Sequence, residues 1–464
     1  MVIKMKWKKI FFITLFTISI LSWTLMINEL QFNIASRKQD YKEDTVEFLI
    51  NHLWDQEYSG FYAYIANNVC IPCGAKAPTK YTSFNSWAIR ALLQYSISHN
   101  DSYIFEEYGL KTLNFVLNNL LNKTNKGFYH WINQNGSLPA EGDLLFNNSV
   151  YQIGTYQAWM LITLIEVYKY TLNSTYINVW GKDVANFLIT KLWDSEHGGF
   201  YSTYIPFYDQ IVDFLKYTWY QAWPAIALLD FYEITGNQTY MTYVNNTLDF
   251  LINYLWDSNT ESFLSQCFEN GTVDPNSIFM LTDQAAILLA FSKASNLTGN
   301  QTYRDDYLLP ILNFTKNYLW NDEFSQFYYD CDKNGENPEL YQRPSDLSFC
   351  LFALSQVINN LNDTNSFKKI IDYSMKNMIT NAWDYNAKGF YRKFFFNGTI
   401  ADQDKWTIEQ TIPLFLFCHY SPEHPISSIS FYIFLGIFVG TIVSIIFIYF
   451  KRDPHKKLIR HIIK

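Results

Sequence analysis

The sequence predicts an all-α (α/α)6 toroid of six helical hairpins, with short β-hairpins on one face and transmembrane helices flanking it at both ends. Three observations predict it. A ten-residue motif recurs six times, each copy lies between two helical patterns of different polarity, and an uncharged apolar run stands near each end of the 464-residue chain.

The motif reads LWDQEYSGFY from Leu53, LLNKTNKGFY from Leu120, LWDSEHGGFY from Leu192, LWDSNTESFL from Leu255, LWNDEFSQFY from Leu319 and AWDYNAKGFY from Ala382. Its phenylalanines, Phe61, Phe128, Phe200, Phe263, Phe327 and Phe390, are spaced by 67, 72, 63, 64 and 63 residues. A fixed period of this size marks a repeat architecture in which each unit buries its apolar face against its neighbours. Before the motif runs an amphipathic helix, such as the stretch 240–255, whose apolar residues fall at about helical spacing. After it come turn signals, with Asn-Gly at Asn135, Asn270, Asn334 and Asn397, a pair that tolerates the positive φ of tight hairpins. A second helix follows, apolar nearly all round, as in 222–232 and 285–291. Such a helix is buried, which makes the second helices an inner ring and the first an outer one.

The ends carry a separate signal. Residues 10–27 lack charge and follow Lys4, Lys6, Lys8 and Lys9; residues 426–450 lack charge and precede Lys451, Arg452, Lys456, Lys457 and Arg460. Apolar lengths of this order fit a signal-anchor or signal peptide and a spanning helix. The expected organisation is therefore a basic n-region at 1–9, the signal-anchor or signal peptide at 10–27, the toroid at 41–420, a transmembrane helix at 426–450 and a basic tail at 451–464. Basic flanks stay cytoplasmic, which places the toroid outside the cytoplasm at a cell or other secretory-type membrane, with the lipid bilayer contacted through the terminal helices. Thirteen N-x-S/T sequons, from Asn100 to Asn397, all lie between the apolar runs. A net charge of −8 without a lysine-rich patch excludes a nucleic-acid partner.

Six cysteines do not make a dense disulfide scaffold. Cys70 and Cys73 read as a local disulfide or plain thiols, Cys267 and Cys331 as a cross-repeat bridge, and Cys350 and Cys418 as buried thiols.

Aligning the inner-helix starts by the same period yields columns. One reads Phe84, Tyr156, Tyr220, Asp283, Asp346, Glu409; the next reads Asn85, Gln157, Gln221, Gln284, Leu347, Gln410; five residues before the latter stand Lys80, Gln152, Lys216, Phe279, Gln342 and Lys405. Aromatics on one half of a ring and carboxylates on the other suit a sugar, whose apolar face wants a platform and whose glycosidic bond wants an acid and a base. The expected catalytic residues are Asp283, Asp346 and Glu409, with Asp346 paired to one of the other two. The expected substrate-binding residues are Tyr156, Gln157, Lys216, Trp219, Tyr220, Gln221, Gln284, Lys405, Trp406 and Gln410. The plainer alternative is that first-turn carboxylates merely offset the helix dipole. Motif acids Asp55, Asp194, Asp257 and Asp384 recur around the ring and read as turn formers, and His130 and His197 as surface or packing residues. No H-E-x-x-H, Gly-rich phosphate loop or G-x-S-x-G occurs, so neither metal nor cofactor is expected.

The W-D-x-E-x-G-G-F-Y signature at Trp193 to Tyr201 and the x-Q-A starts at Gln157, Gln221 and Gln284 resemble the six-hairpin glycosidase-like superfamily, most of all N-acylglucosamine 2-epimerase and related (α/α)6 proteins. The resemblance covers about residues 41 to 420. It implies the toroid and a carbohydrate ligand, and for the epimerases a histidine pair on the inner ring. The columns contain no histidine, and only His419 falls late in the last inner helix. The expectation therefore becomes glycoside hydrolysis by carboxylates. The alternatives are a non-catalytic glycan- or protein-binding toroid and, behind it, a sugar epimerase. Protein partners are left open.

Overall fold

Each of the six motif copies folds into the same bridged loop. Its Trp or Leu pairs antiparallel with its Phe, from Trp54↔Phe61 to Trp383↔Phe390. In three copies the motif acid holds the loop from within: Asp55 Oδ1 accepts the Glu57 and Tyr58 N–H groups, Asp194 those of Glu196 and His197, and Asp384 those of Asn386 and Ala387. These acids are turn formers, and they recur because the turn does.

The computed structural model describes residues 40–66, 79–141, 146–336, 340–358 and 364–420. The inner helices are Thr82–His99, Gly154–Thr171, Thr218–Thr235, Leu281–Thr298, Pro344–Ile358 and Thr407–His419. Each packs on the next, and the last packs on the first, closing the ring. The outer helices stand outside them and are one-sided: Gln238–Tyr254 buries Tyr240, Met241, Val244, Thr247, Leu248, Phe250 and Leu251, which fall on one half of its circumference. Thr218–Thr235 instead buries an unbroken run from Gln221 to Leu229. Three outer helices end in π-turns, Leu49–Leu53, Val116–Leu120 and Leu188–Leu192, whose last leucines are fully buried under the motif.

The strands join repeats to one another. Lys80 pairs with Ile132, Gln152 with Tyr204, Lys216 with Cys267, Phe279 with Cys331, Gln342 with Phe394, and Lys405 with Ile65. Hairpins within a repeat occur as Thr203–Ile205 with Gln210–Ile211 and Lys393–Phe395 with Ile400–Asp402. The glycines of all four Asn-Gly pairs hold positive φ, between 80° and 88°.

The amide column explains how a helix finds its loop. Phe200 N–H donates to Gln221 Oε1 at 2.6 Å and Gln221 Nε2 donates to Phe200 O at 2.8 Å. Asn85, Gln157, Gln284 and Gln410 repeat this two-way clasp on Phe61, Phe128, Phe263 and Phe390. The fifth repeat has Leu347 in the column, and Gln342 Nε2 reaches Phe327 O instead. Gly199 precedes the clasped residue because its φ is +75° and a Cβ there would sit 2.9 Å from Gln221 Oε1. Gln221→Ala is expected to destabilise the fold by about 2–4 kcal/mol, since it strands a buried N–H and a buried C=O; urea unfolding against wild type measures it.

Two expectations are corrected here. Flanking transmembrane helices are not supported: among the described residues no helix is long and apolar enough to cross a membrane, because the apolar helices present are ring helices that face one another. Segments 10–27 and 426–450 lie outside the described residues, as do Cys70 and Cys73. The Cys267–Cys331 bridge is also absent. Both thiols are free and buried, since each sits on its own ladder, Cys267 opposite Lys216 and Cys331 opposite Phe279.

Candidate active site

A cavity of about 610 Å³ opens at the N-terminal ends of the inner helices, and one residue from each helix faces it: Phe84, Tyr156, Tyr220, Asp283, Asp346 and Glu409. A side chain in the first turn projects past the helix end, so ring closure brings the whole column to one centre. Repeats two and three supply the aromatic wall, and repeats five and six, across the ring, supply Asp346 and Glu409.

The three carboxyl groups occupy different environments. Asp346 is ion-paired with Arg343, whose Nε and Nη2 lie 2.7 and 2.6 Å from the same oxygen, Oδ2. Glu409 is buried, and its Oε2 accepts the Ser345 N–H at 2.7 Å. Burial pushes its carboxyl up to about 7; Arg343 opposes the rise and Asp346 adds to it. Burial also pushes Asp283 well above the usual carboxylate range, against one hydrogen bond from the Trp219 backbone. The cavity therefore holds one carboxyl group paired with a guanidinium beside two whose pKa burial raises.

The walls are aromatic. Trp406 stacks on Tyr64 at 5.1 Å, meets Phe84 edge-on at 5.8 Å and carries the Arg392 guanidinium at 4.0 Å. Tyr156 stacks on Trp159, and Trp219 packs between Trp159, Trp223 and Phe349. The indole N–H groups of Trp159 and Trp406 have no hydrogen-bond partner among the described residues.

Of the expected site residues, the structure brings together Asp283, Asp346, Glu409, Tyr156, Trp219, Tyr220 and Trp406. It takes the others elsewhere. Gln157, Gln221, Gln284 and Gln410 are fully buried in the loop clasps. Lys216 and Lys405 are equally buried, with Nζ 2.6 Å from Asp194 and 2.8 Å from Asp384, as Lys80 Nζ is 2.7 Å from Asp55. Burial pulls the Lys405 ammonium down to about 8 against its pairing with Asp384. Burial would raise Asp384, but the Lys405 ammonium and the Ala387 N–H outweigh it and hold that carboxyl at about 2. These lysines pin motif loops; they do not face a ligand.

Sequence reasoning missed Arg343, Tyr217, Tyr329 and His130, all of which line the cavity. Two columns would have found them. Three residues before the first-turn column stand Tyr81, Tyr217, Met280, Arg343 and Trp406, and directly after the motif stand His130, Ser265 and Tyr329, all lining residues. The His130 ring lies against Tyr81 and Tyr156, and burial drops its pKa to about 4, so it is neutral at neutral pH. His419 lies off the cavity, with Nδ1 2.8 Å from Phe415 O. Away from the cavity, Asp194, His197 and Glu269 bring ligand atoms within 4.8 Å of one another. The Lys216 ammonium already occupies Asp194 Oδ2, and its charge opposes a cation there.

A closed double ring of six helical hairpins with an aromatic and acidic cavity at the inner-helix N-termini defines the fold as an (α/α)6 toroid. Solved structures agree. Cellobiose 2-epimerase from Bacillus thermoamylovorans superposes with a TM-score of 0.69 at 13% identity, over 82% of this chain and 99% of that one. A D-mannose isomerase gives 0.68 at 13% identity over 82% and 95%. A family 76 glycoside hydrolase (mannosidase) from Bacteroides thetaiotaomicron gives 0.60 at 14% identity over 82% and 96%. At such identities the likeness is one of fold. No protein-family profile and no curated protein sequence matches the chain.

Proposed function

We propose that this chain is a carbohydrate-active enzyme, a glycoside hydrolase in which Glu409 is the general acid and Asp346 the general base. The observation that carries the reading is the contrast between a buried carboxyl with a pKa of about 7 and a neighbouring carboxylate paired with Arg343, in a cavity walled by aromatics. A buried carboxyl with a raised pKa carries the proton that a general acid must give, and its ion-paired neighbour is left the base's part. Glu409 gives its proton to the glycosidic oxygen as the bond from that oxygen to the anomeric carbon breaks. Asp346 takes a proton from the water whose oxygen bonds to that carbon. Arg343 engages only Oδ2, which assigns the water to Oδ1. Adjacent inner helices pack about 8–10 Å apart, which suits the ~6.5–9.5 Å between carboxyls that a water-mediated, inverting displacement needs. Asp283, kept neutral, donates a hydrogen bond to a sugar hydroxyl, and Tyr156, Tyr220, Trp219 and Trp406 hold the ring faces.

The structural neighbours support a sugar as the ligand, since those compared above are named for acting on cellobiose, mannose or mannosides. A second reading, a glycan-binding toroid without turnover, draws on the same Arg343–Asp346 pair, which neutralises one of the acids. The deciding experiment incubates the full-length chain with a panel of aryl glycosides and natural glycans. Hydrolysis of one class establishes the enzyme; saturable binding without product establishes the binding toroid.

A further inference from the structure

Beside the cavity, on the hairpin side, lies a second hollow, a groove. Gln266 pairs with Tyr217 and Cys267 with Lys216. Side chains alternate across a strand, and Lys216 and Cys267 are wholly buried on one face. Tyr217 and Gln266 therefore turn to the other face, and the ladder ends beside Leu215 on one strand and Phe268 on the other. Tyr217 and Gln266 line the cavity; Leu215 and Phe268 line the second hollow, together with Asp213 and Phe214. The ladder thus stands between the two hollows, and Tyr217 Oη of one donates to Asp213 Oδ2 of the other at 2.9 Å. Phe214 and Phe268 are 56% and 44% exposed, an apolar surface that folding leaves uncovered next to a sugar-sized cavity.

We infer that this groove is an outer sugar subsite, so that the substrate is a glycan chain whose reacting unit sits in the cavity and whose neighbouring units lie on Phe214 and Phe268. The inference rests on the carbohydrate reading above. The chemistry of the groove is that of a sugar ring, with flat apolar faces flanked by carboxylate, amide and hydroxyl groups from Asp213, Asn270 and Thr272. A chain substrate needs its second contact next to the first, and the Tyr217–Asp213 hydrogen bond sets the two hollows side by side.

The test measures binding of the full-length chain to an immobilised array of glycans graded from monosaccharide to octasaccharide, for wild type and for the Phe214→Ala/Phe268→Ala double variant. Both rings are exposed, and an unchanged melting temperature confirms an intact core. For the glycan series that binds, wild-type affinity is expected to rise about tenfold from short to long members, and the variant to keep wild-type affinity for the short ones while losing the rise. Length-independent affinity, equal in the two proteins, overturns the subsite and leaves the carbohydrate reading standing. Absence of binding to every glycan overturns both.

Discussion

Asp346→Asn is expected to lower kcat by about 10²–10⁴-fold, the usual worth of a positioned general base, with KM nearly unchanged because the aromatic grip on the sugar is untouched. Glu409→Gln should cost as much on natural glycans and far less on aryl glycosides with good leaving groups, which depart without a proton. The pH profile separates the two. Glu409 acts in its protonated form and titrates at about 7, so wild-type activity falls as pH rises through about 7, and Glu409→Gln removes that limb. The same group leaves a mark on stability. Its folded pKa is raised above the 4.5 of a free glutamate, so the folded state binds the extra proton between these values. Stability therefore declines as pH climbs through that window, where the unfolded chain has already released its proton. Melting temperature against pH, for wild type and Glu409→Gln, reads this directly. Equal slopes for the two proteins would remove Glu409 from the acid's role.

Lys216→Met is the second large effect, and it falls on stability rather than on chemistry. The substitution leaves Asp194 buried opposite an apolar side chain, and an uncompensated buried charge costs about 3–5 kcal/mol. Hydrolytic rate per folded molecule should stay at the wild-type value, since Lys216 does not line the cavity. Adding Asp194→Asn to Lys216→Met should recover much of the loss. An amide at that position removes the stranded charge and keeps the oxygen that accepts the Glu196 and His197 N–H groups. A selective loss of sugar binding with unchanged unfolding would instead return Lys216 to the ligand.

The fold was legible because the repeat period prints its own alignment: six phenylalanines in register locate six loops, and the helices follow from their polarity. The first-turn column that lines the cavity was legible for the same reason, since a ring with one such residue per helix turns a sequence column into a circle. The amide and lysine columns were misread because recurrence looks alike whether it serves a ligand or a turn. The distinguishing signal lay in pairing. Lysine stands at Lys80, Lys216 and Lys405, in repeats whose motif carries Asp55, Asp194 and Asp384, whereas the second and fifth repeats place Gln152 and Gln342 opposite Asn122 and Asn321. The fourth, with Asp257 and Phe279, breaks the rule, and its acid is half-buried where the paired ones are buried. Arg343 and His130 escaped because their columns mix residue types, Tyr81 with Ile153, Arg343 and Trp406 in one and Ala63 with His130 and Ser265 in the other, and a period draws attention to the columns whose residue types repeat.

The first and last repeats meet along their whole length, where Thr407–His419 packs on Thr82–His99, where Tyr64 pairs with Trp406 and where Lys388 meets Glu47. An open solenoid frays from its ends and needs capping units; this architecture has no end to fray. Removing any one hairpin exposes two apolar flanks at once, so loss of a hairpin should cost the whole molecule rather than one part of it. By the same geometry, the place where the polypeptide begins is arbitrary to the packing, and a circularly permuted chain opened at another inter-repeat turn should close into the same structure.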